Sequence, residues 1–158
     1  MKSNTVLTAA LLAAGIAASA QADTLKKVAD SGKLALAYRE SSVPFSYVEG
    51  AGKPIGFSMD IASAVVQEIK KRSGKPVLEI EYIPVTSQNR IPLLMNGTID
   101  LECGSTTNNS TRGKDVAFAI NHFYTGTRLL AKKTSKIRNY ADLENKTVAS
   151  TTGTTNSQ

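Results

Sequence analysis

From Lys33 to Cys103 the hydrophobic period of the chain alternates between that of a strand and that of a helix. KLALAYR (33–39) is a mostly apolar run of strand length. Ser58 is then expected to cap a helix in which Met59, Ala62, Val66 and Ile69 share a face, with Ile61 and Val65 beside them. Asp60 in its first turn and Lys70, Lys71 and Arg72 in its last suit the helix dipole, and Gly74 supplies a stop. VLEIEYI (77–83) alternates as a strand. Ser87 is expected to cap a second helix, in which the early Pro92 is tolerated and which Asn96-Gly97 ends. IDLEC (99–103) reads as another strand. Strands separated by helices pair in parallel, so the fold class predicted is α/β with a mixed, largely parallel sheet.

The flanks are simpler. Thr24 is expected to cap a short helix with Leu25 and Val28 on one face and Gly32 at its end. Phe45–Val48 and Ile55–Phe57 flank the turn residues 49–54 and should form a small hairpin. Beyond residue 113, Val116–Ile120, Phe123–Ala131 and Thr147–Ser150 read as extended and Tyr140–Glu144 as one helical turn. A Thr/Gly loop follows at 151–155.

Met1 to Ala22 has the layout of a secretory signal peptide. A positive start with Lys2 leads into the apolar run Val6–Ala18, and small residues follow at Ala18-Ser19-Ala20 and Ala20-Gln21-Ala22. Cleavage before Asp23 is the preferred site. The apolar run is shorter than the ~20 residues a membrane span requires. Export to the periplasm changes what the charge means: the 19 Lys+Arg against 13 Asp+Glu give +6, yet nucleic acid is not an expected partner there. The single cysteine, Cys103, excludes an intrachain disulfide, and the single histidine, His122, leaves too few soft ligands for zinc. Neither a Walker loop, a GxGxxG turn nor a nucleophile elbow is present, so no cofactor, metal or catalytic residue is expected.

Ligands of α/β sheets gather at the carboxyl ends of strands. Arg39 follows the first strand, Thr86-Ser87-Gln88-Asn89-Arg90 the second, and Gly104-Ser105-Thr106-Thr107 with Arg112 the third. A single strand-end arginine is an ordinary surface charge, and Ser87 and Ser105 alone would be turn or capping residues. Three such ends together suit a small polyanion, because each guanidinium presents a flat fork that matches a carboxylate. Three or four hydrogen bonds to charged groups, at roughly 1.5–3 kcal/mol each, suffice for micromolar binding.

The run Gly56-Phe57-Ser58-Met59-Asp60-Ile61, continuing through Val65, Val66 and Ile69, resembles the signature of the family 3 extracellular solute-binding proteins, the receptors of polar amino-acid ABC importers. Ser58 stands where that family usually has Asp or Glu. Ser105-x-Thr107 with Arg112 resembles the family's ligand loop, and RESSVPFSY (39–47), TSQNRIPLL (86–94) and ECGSTTNN (102–109) resemble its receptors for acidic amino acids. The resemblance implies a periplasmic-binding-protein-like fold of two lobes that close on ligand. It implies that Arg39, Ser87, Arg90 and Ser105 hold the side-chain carboxylate of L-glutamate or L-aspartate. Thr107, Arg112 and Thr155 would hold its α-carboxylate, while Phe45 covers the methylenes or joins the core. The same resemblance divides the chain into a signal peptide (1–22), lobe 1 (23–126), a hinge-crossing strand (127–133) and the start of lobe 2 (134–158). Lobe 2 would thus be truncated and the chain alone would bind weakly or not at all. The implied protein is a monomer that delivers ligand to an inner-membrane ABC permease without chemistry. Alternatives on the same scaffold are an exported enzyme, such as a dehydratase or the sensing domain of a lytic enzyme, and a ligand-sensing ectodomain. The enzyme would need a catalytic carboxylate or an appended domain, and the ectodomain a transmembrane segment.

Overall fold

The computed structural model describes residues 23–156. The signal-peptide reading and its cleavage site, with the final two residues, lie outside the described residues. No described helix is long and apolar enough to cross a membrane.

Three parallel strands form the centre, β1 (Lys33–Tyr38), β4 (Glu79–Pro84) and β5 (Leu101–Glu102), in the order β4-β1-β5. β1 pairs with β4 along its whole length, Lys33 opposite Glu79 and Tyr38 opposite Pro84, and with β5 at Leu36 and Ala37. Being central, β1 buries Leu34, Ala35, Leu36 and Ala37 in succession, so both its faces are covered. Leu34 and Leu36 meet Val28, Met59, Ala62, Val66 and Leu78 on one face, beneath α1 (Thr24–Ser31) and α2 (Phe57–Ser73). Ala37 meets Val85 and Ile99 on the other, where Leu93 and Leu94 of α3 (Arg90–Met95) close the layer. The alternation read from the sequence thus yields helices on both faces of a parallel sheet, all of it parallel rather than mixed.

The serine caps expected for α2 and α3 are both displaced by polar work elsewhere. The N-cap of α2 is Gly56, without a side-chain bond, and Ser58 sits fully buried inside the first turn. Its hydroxyl donates to the Gly104 carbonyl (3.1 Å), tying α2 to the segment after β5. A Cβ on Gly56 would stand 2.6 Å from the Phe45 carbonyl oxygen at φ 118°, which is why glycine precedes this helix. Ser87 does not cap α3 either; Thr86 and Asn89 bond each other reciprocally (2.7 and 3.1 Å) and set the turn. At α1 the cap is Asp23, accepting from the Lys26 N–H, rather than Thr24. Gly32 and Gly74 end their helices in the left-handed conformation as expected.

The small hairpin is present in altered form. Tyr47 and Ile55 exchange both backbone bonds (3.0 and 2.8 Å), but the regular ladder joins β2 (Ser41–Ser42) to β3 (Ser46–Tyr47). Val116–Ile120, Phe123–Ala131, Thr147–Ser150 and the crossing segment 127–133 form no strand, because their backbones ladder to no other described segment. One 3-10 turn (Arg112–Lys114) precedes this region and two interrupt it, Lys133–Ser135 and Tyr140–Leu143, the latter held by a capping box between Asn139 and Asp142.

Candidate ligand-binding site

The carboxyl ends of β1, β4 and β5 lie side by side, and the candidate residues leave the sheet there. Arg39, one residue past β1, donates from Nη1 to the Ser87 hydroxyl (2.8 Å), spanning the β1 and β4 ends. Ser87 is buried at 7% exposure and Arg39 is half-buried, so the bond is partly shielded from solvent. Ser105 pairs with the Ser42 hydroxyl at 2.7 Å. With Thr107 it lines a cavity of about 290 Å³ whose wall includes Phe45 and Phe123. Phe45 stacks edge-on against Phe123 at 4.9 Å between centroids.

Arg112 gathers the far side. Nη1 donates to the Thr107 carbonyl (3.0 Å) and Nη2 to the Gly153 carbonyl (2.9 Å), so one guanidinium ties its own loop to a second loop 41 residues further along the chain. Thr155 donates to the Thr107 hydroxyl at 3.3 Å. Gly153 allows the approach: at φ 78°, a Cβ there would lie 2.6 Å from the Ser87 carbonyl oxygen. The Thr/Gly loop therefore packs directly on the turn that carries Ser87. All seven residues singled out from sequence lie on these converging segments.

Arg90 is the exceptional member. As the first residue of α3 it points inward and is only 2% exposed. Its Nη1 lies 3.9 Å from Glu102 Oε1, within reach of Coulomb attraction but beyond a hydrogen bond. Arg90 Nε and Nη1 and Glu102 Oε1 are all buried without hydrogen-bond partners. Burial pushes the Arg90 guanidinium down to about 10; Glu102 opposes that shift, while the positive charges of Arg39 and Arg112 add to it. The charges of Arg39 and Arg112 are thus felt at Arg90.

Glu102 and Thr106 were missed as site residues by the sequence reasoning. Glu102 Oε2 accepts from the Thr106 hydroxyl (2.7 Å), and the bare Gly104 lets the carboxylate and the Arg39 stem pass on either side of it. The available signal was an acid inside an otherwise apolar strand. That signal is not unique, since Asp100 on the same run serves the fold by accepting from the Ala35 N–H (2.9 Å) and Lys27 Nζ (2.8 Å). His122 also has a structural setting: Ser58 gives its proton to Gly104 and is left to accept from His122 Nε2 at 3.1 Å. A wider hollow, about 830 Å³, lies elsewhere, along 126–132 and 147–151; its one guanidinium, Arg128, is spent on the Thr127 carbonyl.

Residues 34–155 match the bacterial extracellular solute-binding proteins, family 3. The chain belongs to that family. It is 51% identical over 149 residues to the glutamate/aspartate import solute-binding protein of Escherichia coli K12, covering 94% of the chain and 49% of the relative. It is 49% identical over 153 residues to the L-glutamate/L-aspartate-binding protein of Pseudomonas aeruginosa, covering 96% and 51%. The chain therefore spans about half the length of the curated relatives it matches. Among solved structures, the ancestral amino acid-binding protein AncCDT-1, a precursor of cyclohexadienyl dehydratase, superposes with a TM-score of 0.64 at 29% identity, over 76% of this chain and 51% of that one. These relatives are binding proteins.

Proposed function

We propose that this chain supplies the first lobe and the entrance to the second lobe of a periplasmic receptor that captures glutamate or aspartate for an ABC importer. The observation that carries the reading is the convergence of Arg39, Arg90 and Arg112 on the same edge of the parallel sheet, where Arg39 reaches Ser87 at 2.8 Å and Arg112 reaches Thr107 and Gly153. A neutral amino acid needs one guanidinium for its α-carboxylate; three call for a second carboxylate. In this reading Arg112, Thr107 and Thr155 take the α-carboxylate, and Arg39, Arg90, Ser87 and Ser105 the side-chain carboxylate. Lobe 1 is residues 23–126, 127–133 cross to the second lobe, and the loop at Gly153 is the first part of that lobe to meet the ligand. The names of the two curated relatives support the ligand class. The receptor acts as a monomer, holds no cofactor and performs no chemistry.

The test is isothermal titration of a chimera in which residues 23–156 replace the matched half of the E. coli relative. Glutamate or aspartate should bind in the micromolar range or tighter, and glutamine and arginine much more weakly. Preference for glutamine or arginine would overturn the ligand class, and full glutamate affinity in Arg90→Ala would overturn the site. The chain alone, carrying half of the clamp, is expected to bind glutamate weakly or not at all.

A further inference from the structure

Among the described residues, Glu102 is the one carboxylate that acts on Arg90. Its side chain is 5% exposed, and its two oxygens have different fates. Oε2 is satisfied by Thr106 at 2.7 Å, whereas Oε1 faces Arg90 Nη1 at 3.9 Å with no partner. On the arginine, Nε and Nη1 are likewise buried and unbonded. A charged pair that burial has made so costly ordinarily closes to a bond of ~2.8 Å. Here it stops about an ångström short, and the guanidinium keeps donors free while still feeling a counter-charge.

We infer that Glu102 is a placeholder counter-ion: it neutralises Arg90 when the site is empty and competes with the ligand's side-chain carboxylate for the same guanidinium when it fills. The inference rests on the receptor reading above. Three guanidiniums against one carboxylate leave two positive charges, which match the two negative charges a dicarboxylate brings to its two clamps. Without Glu102 the empty cluster would hold three mutually repelling charges, one of them in the protein interior. With it, the empty protein is stable, and ligand must displace part of an existing attraction, which weakens binding and favours release to an importer. Glu102 is therefore a positioning residue that sets affinity, not a ligand contact. Thr106 fixes how strongly it competes, by drawing the carboxylate through Oε2.

Two substitutions give opposite signs. Glu102→Gln keeps an acceptor for Thr106 but removes the charge. It should lower the unfolding midpoint of the ligand-free full chain and yet tighten glutamate binding by the chimera by about ten-fold. Thr106→Val keeps the charge but releases Oε2, so the carboxylate leans harder on Arg90; glutamate should bind about two- to three-fold more weakly. A merely structural Glu102 would lose affinity together with stability, and that result overturns the inference. If Glu102→Gln fails to fold, Thr106→Val decides alone, with unchanged or tighter binding as the refuting outcome. A chimera that binds no glutamate with Glu102 in place refutes instead the receptor reading on which the inference stands.

Discussion

Replacing Arg90 and Glu102 together should stabilise the chain while abolishing the acidic-ligand site proposed above. The perturbation is Arg90→Met with Glu102→Gln, which leaves Thr106 its partner and substitutes a thioether for a guanidinium that is 2% exposed. At 3.9 Å and an effective dielectric of ~20, the pair's attraction is worth about 4 kcal/mol. Against it stand the buried unbonded atoms Arg90 Nε, Arg90 Nη1 and Glu102 Oε1, at roughly 1–3 kcal/mol each, and repulsion from Arg39 and Arg112. The penalties match or exceed the attraction, and isosteric removal of such pairs typically gains about 1–4 kcal/mol. Arg90→Met alone leaves a buried carboxylate without its cation and should cost about 3–5 kcal/mol. Urea unfolding of wild type, both single variants and the double variant completes a thermodynamic cycle. A double variant no more stable than Arg90→Met alone, or a coupling energy near zero, would refute the account of Arg90 as a residue kept for ligand at the expense of the fold.

Three further outcomes follow from the same geometry. Gly56→Ala forces a Cβ to 2.6 Å from the Phe45 carbonyl at a left-handed φ and should cost about 2–4 kcal/mol in urea unfolding; a loss below about 1 kcal/mol would mean the loop gives way freely. Ser58→Ala strands the Gly104 carbonyl and should cost about 1–3 kcal/mol, whereas an unchanged midpoint would remove the tie between α2 and the end of β5. Burial, with Glu102 second, raises the Cys103 thiol from 9.0 to about 11. Its thiolate fraction at pH 8 is then about a hundred-fold below that of an ordinary thiol, and Ellman's reagent should react slowly until the pH approaches 11. Because the unfolded chain loses that proton first, stability should fall as pH rises between about 9 and 11; rapid labelling at pH 8 would contradict the burial.

The convergence of the candidate residues was legible because one topological rule governs it. A parallel sheet sends every strand out at the same edge, so Arg39, Arg90 and Arg112 could be placed together without knowing any distance. Helix ends were legible where they depend on one residue's backbone, as at Gly32 and Gly74. Caps were less so, since Ser58 and Ser87 each had a tertiary partner that outbid the local one. The segments 116–131 and 147–150 have the pattern of strands, but a strand is defined by its partner, and pattern alone cannot supply one.

What the sequence determined by itself was the alternation of periods, hence the parallel sheet, its order of helices and the family signature around Gly56–Ile61. What only the tertiary structure decided was the state of the charges. Sequence counts three arginines as equivalent; the fold buries Arg90, leaves Arg39 and Arg112 half-buried on hydroxyl and carbonyl partners, and sets Glu102 an ångström too far to close the pair. Hydrophobic periodicity is a local property, repeated over many residues and so readable in one dimension. The electrostatics of a buried site depend on a few distances between atoms far apart in sequence, and those exist only once the sheet has formed.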